Sequence, residues 1–396
     1  MKILYTLITL FFLTTAYPQD EFLLNSGSVN KKEYFTVISY KEVKGKIIVQ
    51  CSINDKPYNF IVDTGAPVTI TQELYNELQP KILSTIDVSD QSGKKDSMQV
   101  VSISKIRLGD ITFTDTPTLV SKSHFMFECF NVDGILGSNM FRNSVLRISD
   151  REKKITISDS PKNFKLKSRY ASKMHLSPHQ SNPYIEVKQQ SDAAIGKEML
   201  LFDSGMSGFY DLSVTAYEQF KNINLFKNIS EASGTYSIGL HGLAENQVHY
   251  KAFLPELSVN KYVFKNLTVK STHDETSRIG SDIFKYGDVT LDYRHGKFYF
   301  EPYAKEPADL QEATWPVEPT FEDGKIIIGL IWDKSLEGMI NIGDEVLRMG
   351  KFDYSTMPIC EIITTERNIP EDAVVIVLKD KFSGEIKELQ IAKQNL

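Results

Sequence analysis

The sequence has few cysteines and no clustered metal ligands. Its 396 residues include only Cys51, Cys129 and Cys360, so at most one disulfide can form and one thiol must remain. No Cys-x-x-Cys pair is present, and a structural zinc site would need ligands closer together than these. We therefore expect three separate thiols and a fold that does not depend on disulfides.

Other missing signals exclude several classes of function. The formal net charge is -6 and no basic block is present, which argues against nucleic acid as a partner. The chain also lacks the G-x-S-x-G, H-E-x-x-H, P-loop and G-x-G-x-x-G motifs. We expect chemistry that needs no metal and no cofactor.

The N-terminal segment, residues 1–16, has the pattern of a secretory signal peptide. One lysine is followed by an apolar run from Ile3 to Leu13 and by small residues up to Ala16. The run is too short to span a bilayer as a helix, and an uncleaved anchor is the alternative. We expect cleavage near Ala16 and a secreted or periplasmic protein without a stable membrane anchor.

Short β-branched and aromatic runs separated by turn residues dominate the remaining sequence. They predict an all-β fold, with one short helix at QELYNEL after Thr71. The segment after Trp315 changes character and predicts a small α+β domain. The predicted units are a leader at 17–33, a first lobe at 34–159, a polar connector at 160–182, a second lobe at 183–303, a linker at 304–314 and the C-terminal domain at 315–396.

Two acidic residues end apolar runs. FIVDTGAPV contains Asp63 and LLFDSGMSG contains Asp203, and an ionised acid is costly to bury unless partners stabilise it. A single Asp-Thr-Gly is weak support for a site, because ordinary turns also contain aspartates that cap the local backbone. Two such motifs in one chain therefore need a further observation to connect them.

An internal repeat supplies that observation. Residues 135–148 align without a gap within residues 278–292, with Gly137 matching Gly280. The first aspartate precedes its glycine by 74 residues and the second by 77. Two homologous β lobes in tandem explain both the repeat and the paired motifs.

The pairing of the two acids gives them a chemical role. If a pseudo-twofold axis relates the lobes, Asp63 and Asp203 meet at a cleft and hold one proton between them. The charged acid can take a proton from a water that attacks a carbonyl carbon, while the protonated acid donates to the carbonyl oxygen.

The residues after each acid are suited to support such a pair. Gly65 and Gly205 allow the loops to turn in a conformation that a Cβ would resist. The hydroxyls of Thr64 and Ser204 are short enough to hydrogen-bond to the opposite loop.

These motifs resemble a known family. DTGA at Asp63 and DSGM at Asp203, with ILG at 135–137 and RIG at 278–280, resemble the two lobes of a pepsin-like or tandem retropepsin-like aspartic peptidase of bacterial type, over about residues 34–302. The resemblance implies a bilobal double barrel, two catalytic aspartates and protein or peptide substrates. With both loops in one chain, the protein would act as a monomer.

Three positions depart from the family pattern. Ala66 and Met206 stand where pepsin-like enzymes have a Ser or Thr that hydrogen-bonds the ionised carboxylate, and Pro67 replaces a polar residue. Loss of a donor to the charged form raises the pKa of the pair, so we expect activity at less acidic pH than in a digestive pepsin. The departures also keep open an inactive peptide-binding pseudo-peptidase as the alternative function.

Two polar segments are candidate flaps over the cleft. The first is 87–100, a hairpin with its tip near Ser92 and Gly93, and the second is 235–247. For the second segment, an exposed hairpin without a catalytic role is the alternative.

The C-terminal sequence SLEGMINIGDEVLRMGK, residues 335–351, resembles a segment of bacterial PDZ domains. PDZ domains add an extended peptide to a sheet edge and hold its carboxylate in a Gly-rich loop. The loop expected here has Pro319, Thr320 and Phe321 in place of a Gly-x-Gly-Phe pattern. Peptide binding and a purely structural role both remain open.

Overall fold

A computed structural model describes residues 23–89, 94–236, 238–239 and 242–395. Residues 1–22, which hold the predicted signal peptide and part of the predicted leader, lie outside these ranges. The described chain is mostly β-strand, as the sequence predicts. Within it, no helix combines the length and apolar character needed to cross a membrane.

The first lobe consists of twelve strands and three short helices within the described residues. The strands are β1 Ser28–Val29, β2 Phe35–Ser39, β3 Lys41–Val43, β4 Lys46–Ile53, β5 Lys56–Asp63, β6 Thr69–Thr71, β7 Lys81–Ser89, β8 Lys95–Leu108, β9 Ile111–Ser121, β10 Gly134–Gly137, β11 Val145–Ser149 and β12 Lys154–Ser158. The helices are α1 Gln72–Leu78, α2 Phe125–Phe130 and α3 Ser138–Phe141.

The second lobe also consists mainly of short strands. Its strands are β13 Ala171–Leu176, β14 Pro183–Gln190, β15 Ile195–Phe202, β16 Tyr210–Ser213, β17 Lys227–Gly234, β18 Ile238–Gly239, β19 Gly242–Leu243, β20 Gln247–Val259, β21 Tyr262–Thr272, β22 Arg278–Ile279, β23 Gly287–Asp292 and β24 Lys297–Pro302. Its helix is α4 Val214–Lys221, and 3-10 turns are found at Pro161–Asn163, Ser168–Tyr170 and Ser281–Lys285.

The C-terminal part forms its own sheet, in the strand order β26-β27-β28-β30-β31 with β29 paired to β28. Its elements are β26 Val317–Glu322, β27 Lys325–Ile331, a 3-10 turn Lys334–Leu336, β28 Glu345–Met349, β29 Phe352–Asp353, helix α5 Ile359–Thr364, β30 Ala373–Lys379 and β31 Ile386–Ala392. The buried apolar side chains of this sheet form a cluster separate from that of the lobes.

Local sequence explains the elements that position the site. In β5, Tyr58, Phe60 and Val62 are buried and the residues between them are less so, which is the alternation expected of a strand with one face in the core. The short helix predicted after Thr71 is confirmed as α1. The Thr71 hydroxyl accepts a hydrogen bond from the Leu74 amide at 3.2 Å and caps the helix.

A shared sheet joins the two lobes. Strand β11 of the first lobe pairs antiparallel with β23 of the second, from Val145 opposite Asp292 to Ile148 opposite Val289. Buried apolar residues from both lobes belong to one continuous cluster. The lobes therefore form a single packed unit.

Two segments predicted as connections contain strands. The predicted connector at 160–182 includes β13, which pairs with β14 on one side and β24 on the other. The predicted linker at 304–314 includes β25, Ala308–Asp309, which pairs parallel with β21. Neither strand has the run of β-branched and aromatic residues that predicts a strand, because β13 has no β-branched residue and β25 has two residues.

The expectation of three separate thiols is wrong. Cys129 in α2 and Cys360 in α5 form a disulfide across a sequence separation of 231 residues, and Cys51 is a buried free thiol. The bond links the first lobe to the C-terminal domain. No pattern in the sequence could indicate it, since the two helices meet only in the folded chain.

The C-terminal domain also contacts the second lobe. The Thr235 amide donates to the Gly329 carbonyl at 3.0 Å, and Lys270 forms an ion pair with Glu318 at 2.7 Å. Together with the disulfide, these contacts hold the domain against both lobes at once.

We predict that the paired substitution Cys129→Ser and Cys360→Ser destabilises the attachment of the C-terminal domain by about 2–4 kcal/mol, because a covalent link that closes a long loop restricts the unfolded chain. Thermal unfolding and limited proteolysis measure this. The melting temperature of the variant should be insensitive to reductant, whereas that of a Cys51→Ala control should still fall on reduction. Equal melting temperatures for the paired variant and the wild type would contradict the prediction.

Candidate active site

The two aspartate loops have matching supports behind them. Strand β10 pairs parallel with β5, which sets Gly137 beside Asp63, and the Ser138 amide donates to the Ala66 carbonyl at 3.0 Å. In the second lobe β22 pairs parallel with β15, and the Asp203 amide donates to the Ile279 carbonyl at 2.9 Å. The repeat in the sequence is thus a repeat in structure.

The two loops meet, so that each acid lies against the glycine that follows the other acid. Each also accepts a backbone amide: Asp63 from Gly65 at 2.8 Å, and Asp203 from Gly205 at 2.9 Å and Met206 at 3.0 Å. The structure therefore brings together two acids that lie 140 residues apart, as the sequence predicts.

The glycines are required for a different reason from the one expected. Neither Gly65 nor Gly205 has a left-handed backbone conformation, so the predicted need for an unusual turn is wrong. Each instead lies against the opposite acid. A Cβ on Gly65 would lie 2.6 Å from Cγ of Asp203, and one on Gly205 would collide with the Asp63 carboxyl group. Glycine allows this close approach.

Thr64 and Ser204 join the two loops by crossed hydrogen bonds. The Thr64 hydroxyl donates to the Phe202 carbonyl at 2.7 Å and accepts from the Ser204 amide at 3.0 Å. Reciprocally, the Ser204 hydroxyl donates to the Val62 carbonyl at 2.9 Å and accepts from the Thr64 amide at 3.0 Å. Both residues are fully buried, so these bonds have no competition from water.

The environment of the acids favours a shared proton. The pKa of Asp63 is raised to about 8 by burial and by the negative charge of Asp203 together, while Lys46 opposes the shift. Burial is the largest cause. The lost hydroxyl donors at Ala66 and Met206 are therefore not needed to explain a raised pKa.

Lys46, at the start of β4, reaches from the first lobe into the second. Its ammonium group donates to the Gly205 carbonyl. Burial lowers the pKa of Lys46, against the attraction of Asp63 and Asp203, which favours the charged form. Sequence analysis missed this residue, because a lysine beside a hairpin turn carries no local signal.

Arg278, in β22, lies directly beside Asp203. Its guanidinium group is 3.5 Å from the Asp203 carboxylate, 3.0 Å from that of Asp211 and 2.9 Å from that of Asp274. One feature of the sequence could have indicated this residue. The repeat matches the charged Arg278 to the apolar Ile135 in the first lobe.

The candidate flaps are hairpins in part. Strands β7 and β8 pair antiparallel up to Ser89 opposite Lys95; the predicted tip near Ser92 and Gly93 lies outside the described residues. In the second lobe, β18 and β19 form a short pair. Tyr236, the aromatic residue nearest that pair in sequence, donates its hydroxyl to the Ser271 carbonyl at 3.0 Å.

Within the described ranges, no group of three or more His, Cys, Asp or Glu side chains is arranged to hold a metal ion. Two further carboxylates near the site, those of Asp211 and Asp274, form ion pairs with Arg278.

We predict that Thr64→Val lowers the stability of the chain more than Thr64→Ser does. Valine removes the hydroxyl and leaves the Ser204 amide and the Phe202 carbonyl buried without partners, at a cost of about 1–3 kcal/mol for each group. Serine keeps the hydroxyl and serves as the matched control. Thermal unfolding measures the difference, and equal melting temperatures for the two variants would contradict a stabilising role for the crossed bonds.

Comparison with known proteins agrees with part of this description. A family model described as aspartyl protease matches residues 49–140, a segment that includes Asp63 but not Asp203. No curated protein matches the chain.

Three solved structures are similar to the chain at low identity. Conglutin gamma, a basic 7S globulin from lupine seeds, has 12% identity and a TM-score of 0.40, and the match covers 68% of this chain and 95% of that chain. Basic 7S globulin from soybean has 9% identity and a TM-score of 0.41, with the same coverage. A retropepsin-like aspartic protease from Rickettsia conorii has 15% identity and a TM-score of 0.24, covering 33% of this chain and 94% of that chain. In its sequence, the first lobe is similar to aspartyl proteases.

Proposed function

We propose that the protein is an aspartic endopeptidase that hydrolyses peptide bonds with a water activated between Asp63 and Asp203. The observation that carries the proposal is the close approach of these two acids at the junction of the lobes, where each carboxyl group lies against the glycine of the opposite loop. The crossed bonds of Thr64 and Ser204 support it, because they hold the two loops in register.

The chemistry follows from one shared proton. The ionised carboxylate removes a proton from water as the water oxygen bonds to the carbonyl carbon of the substrate, and the protonated carboxyl donates its proton to the carbonyl oxygen. In the tetrahedral intermediate, the proton taken from water passes to the amide nitrogen and the C–N bond breaks, while a hydroxyl of the intermediate returns its proton to the acid and re-forms a C=O bond. Asp63, whose pKa is raised, is suited to the role of acid.

The substrate we propose is a protein or peptide, cleaved by a monomer. Support for a monomer comes from the presence of both aspartate loops in one chain. Support for export to the periplasm or the medium comes from the pattern of residues 1–16 and from the disulfide between Cys129 and Cys360, a bond that persists in oxidising compartments.

We propose further that the C-terminal domain is PDZ-like, with a structural role in joining the lobes. Its disulfide and its contact with the second lobe support that role. A peptide bound in the manner of PDZ domains would add to β26, which pairs only with β27 among the described strands. The ring of Phe321 on this strand packs against Phe125 of the first lobe, 4.9 Å between ring centres.

We predict that Asp63→Asn reduces peptide cleavage by about 10²–10⁴-fold or more, because asparagine cannot exchange the proton. Asp110→Asn, on an exposed acid that pairs with Lys31, is the matched control and should cleave like the wild type. The assay is a mixed peptide library incubated with and without pepstatin and analysed by mass spectrometry. A wild-type chain that binds peptides and cleaves none would favour the pseudo-peptidase.

We also predict a neutral-to-alkaline limit to activity. Asp63 must be protonated to act as acid, and because its pKa is raised to about 8, it keeps the proton at neutral pH and loses it as the pH rises through about 8. The pH dependence of kcat/KM measures this limit. A profile that falls to zero above about pH 5 would contradict both this prediction and the expectation drawn from Ala66 and Met206.

A further inference from the structure

The two lobes differ at the strand position next to each acid. In the first lobe Ile135 lies in an apolar cluster with Ile48 and Phe127. The matching position in the second lobe is Arg278, of which only 8% is exposed. A buried guanidinium in an otherwise apolar element is costly unless nearby charges compensate, and its presence therefore calls for a reason.

Arg278 is held in place by two carboxylates other than Asp203. Asp211 lies directly opposite it on the neighbouring strand β16, and Asp274 lies in the turn before β22. Burial alone would lower the pKa of Arg278, but the charges of Asp211, Asp203 and Asp274 outweigh burial and raise it. The guanidinium is thus a fixed positive charge beside one member of the acid pair.

We infer that Arg278 is a positioning residue that keeps the single negative charge of the acid pair on Asp203 and the shared proton on Asp63. This inference rests on the proposed peptidase function and assigns the base to Asp203 and the acid to Asp63.

Asp203 also accepts more backbone hydrogen bonds than Asp63, which favours the negative charge on Asp203 as Arg278 does. Oδ1 of Asp203 accepts from the amides of Gly205 and Met206, and Oδ2 faces Arg278. Asp63 accepts one backbone amide, that of Gly65. Donors and a cation stabilise the ionised form of a carboxyl group, so the charge belongs on Asp203.

Other titratable groups also face the pair. Lys46 faces both acids and favours ionisation of Asp63, yet burial keeps the pKa of Asp63 raised. Tyr293 interacts with Asp63, and burial raises the pKa of this tyrosine, so it stays neutral. On the other side, Asp274 interacts with Asp203, and burial raises the pKa of Asp274 to about 6.

Removal of the arginine charge should raise the pKa of the acid pair. Without it the ionised form of Asp203 is less stable, so the pair gives up its first proton only at higher pH. A cation within contact distance lowers the pKa of a carboxyl group by about 1–3. In Arg278→Gln, both limbs of the pH profile of kcat should therefore move to higher pH, the acid limb by at least about one unit.

The test compares Arg278→Gln with Arg278→Lys, which keeps the charge and should restore most of the wild-type profile. Arg147→Gln removes an arginine that pairs with Asp288 in the shared sheet, away from the acids, and should leave both limbs unchanged. A purely structural Arg278 would lower kcat at every pH without moving the limbs. That result, or the same shift in Arg147→Gln, overturns the inference.

A second variant tests the opposite sign. Asp274→Asn removes a negative charge that is present above about pH 6. It should shift only the alkaline limb, and to lower pH, because the second ionisation of the pair becomes easier. An alkaline limb that stays in place or rises contradicts the assigned charges, even if Arg278→Gln fails to fold.

A measurement without substrate separates this inference from the proposed function. The carboxyl ¹³C resonances of the pair can be followed by NMR in full-length protein with labelled aspartate, assigned with Asp63→Asn and Asp203→Asn. The first titration step of the pair should occur at least about one pH unit higher in Arg278→Gln than in the wild type. If the wild type cleaves no peptide but the titration of Arg278→Gln is shifted in this way, the proposed function fails and the charge assignment stands. If the wild type cleaves peptides and the titration of Arg278→Gln is unshifted, the proposed function stands and the charge assignment fails.

Discussion

Two carboxyl groups close together in a largely buried site cannot both be ionised, and the site follows from this constraint. The contact between Asp63 and Asp203 requires the loops to approach closely, which only glycine at 65 and 205 allows. It also requires the loops to be held together against the repulsion that any second charge would bring. Thr64 and Ser204 do this with hydrogen bonds that satisfy the buried backbone groups of the opposite loop.

The two lobes are alike in backbone and unlike in charge. The same strand arrangement supports both loops. The proposed reaction needs asymmetry, since one acid would give a proton while the other takes one. The replacement of an apolar residue by Arg278 breaks the symmetry at the position where it affects the pair most directly.

The parts of the fold and of the site that depend on short segments or on the repeat could be predicted from the sequence. Thr71 predicted the start of α1, and the two aspartate motifs predicted the paired acids. The disulfide of Cys129 and the reach of Lys46 could not be predicted, because each depends on surfaces that meet only after the lobes and the C-terminal domain have packed. The repeat matches Arg278 to an isoleucine of the first lobe. This difference can be interpreted only when the three carboxylates around the arginine are known.

The pairing of β11 with β23 has a consequence for how the chain is made. Val145 leaves the ribosome long before its partner Asp292, so the first lobe exists for a time with an unpaired strand edge. Contacts so distant in sequence slow folding, because a long loop must close before they form. A nascent chain of this kind acquires its acid pair only after the second lobe, which ends with β24 at Pro302, has been made, so a chain that stops earlier holds no assembled site.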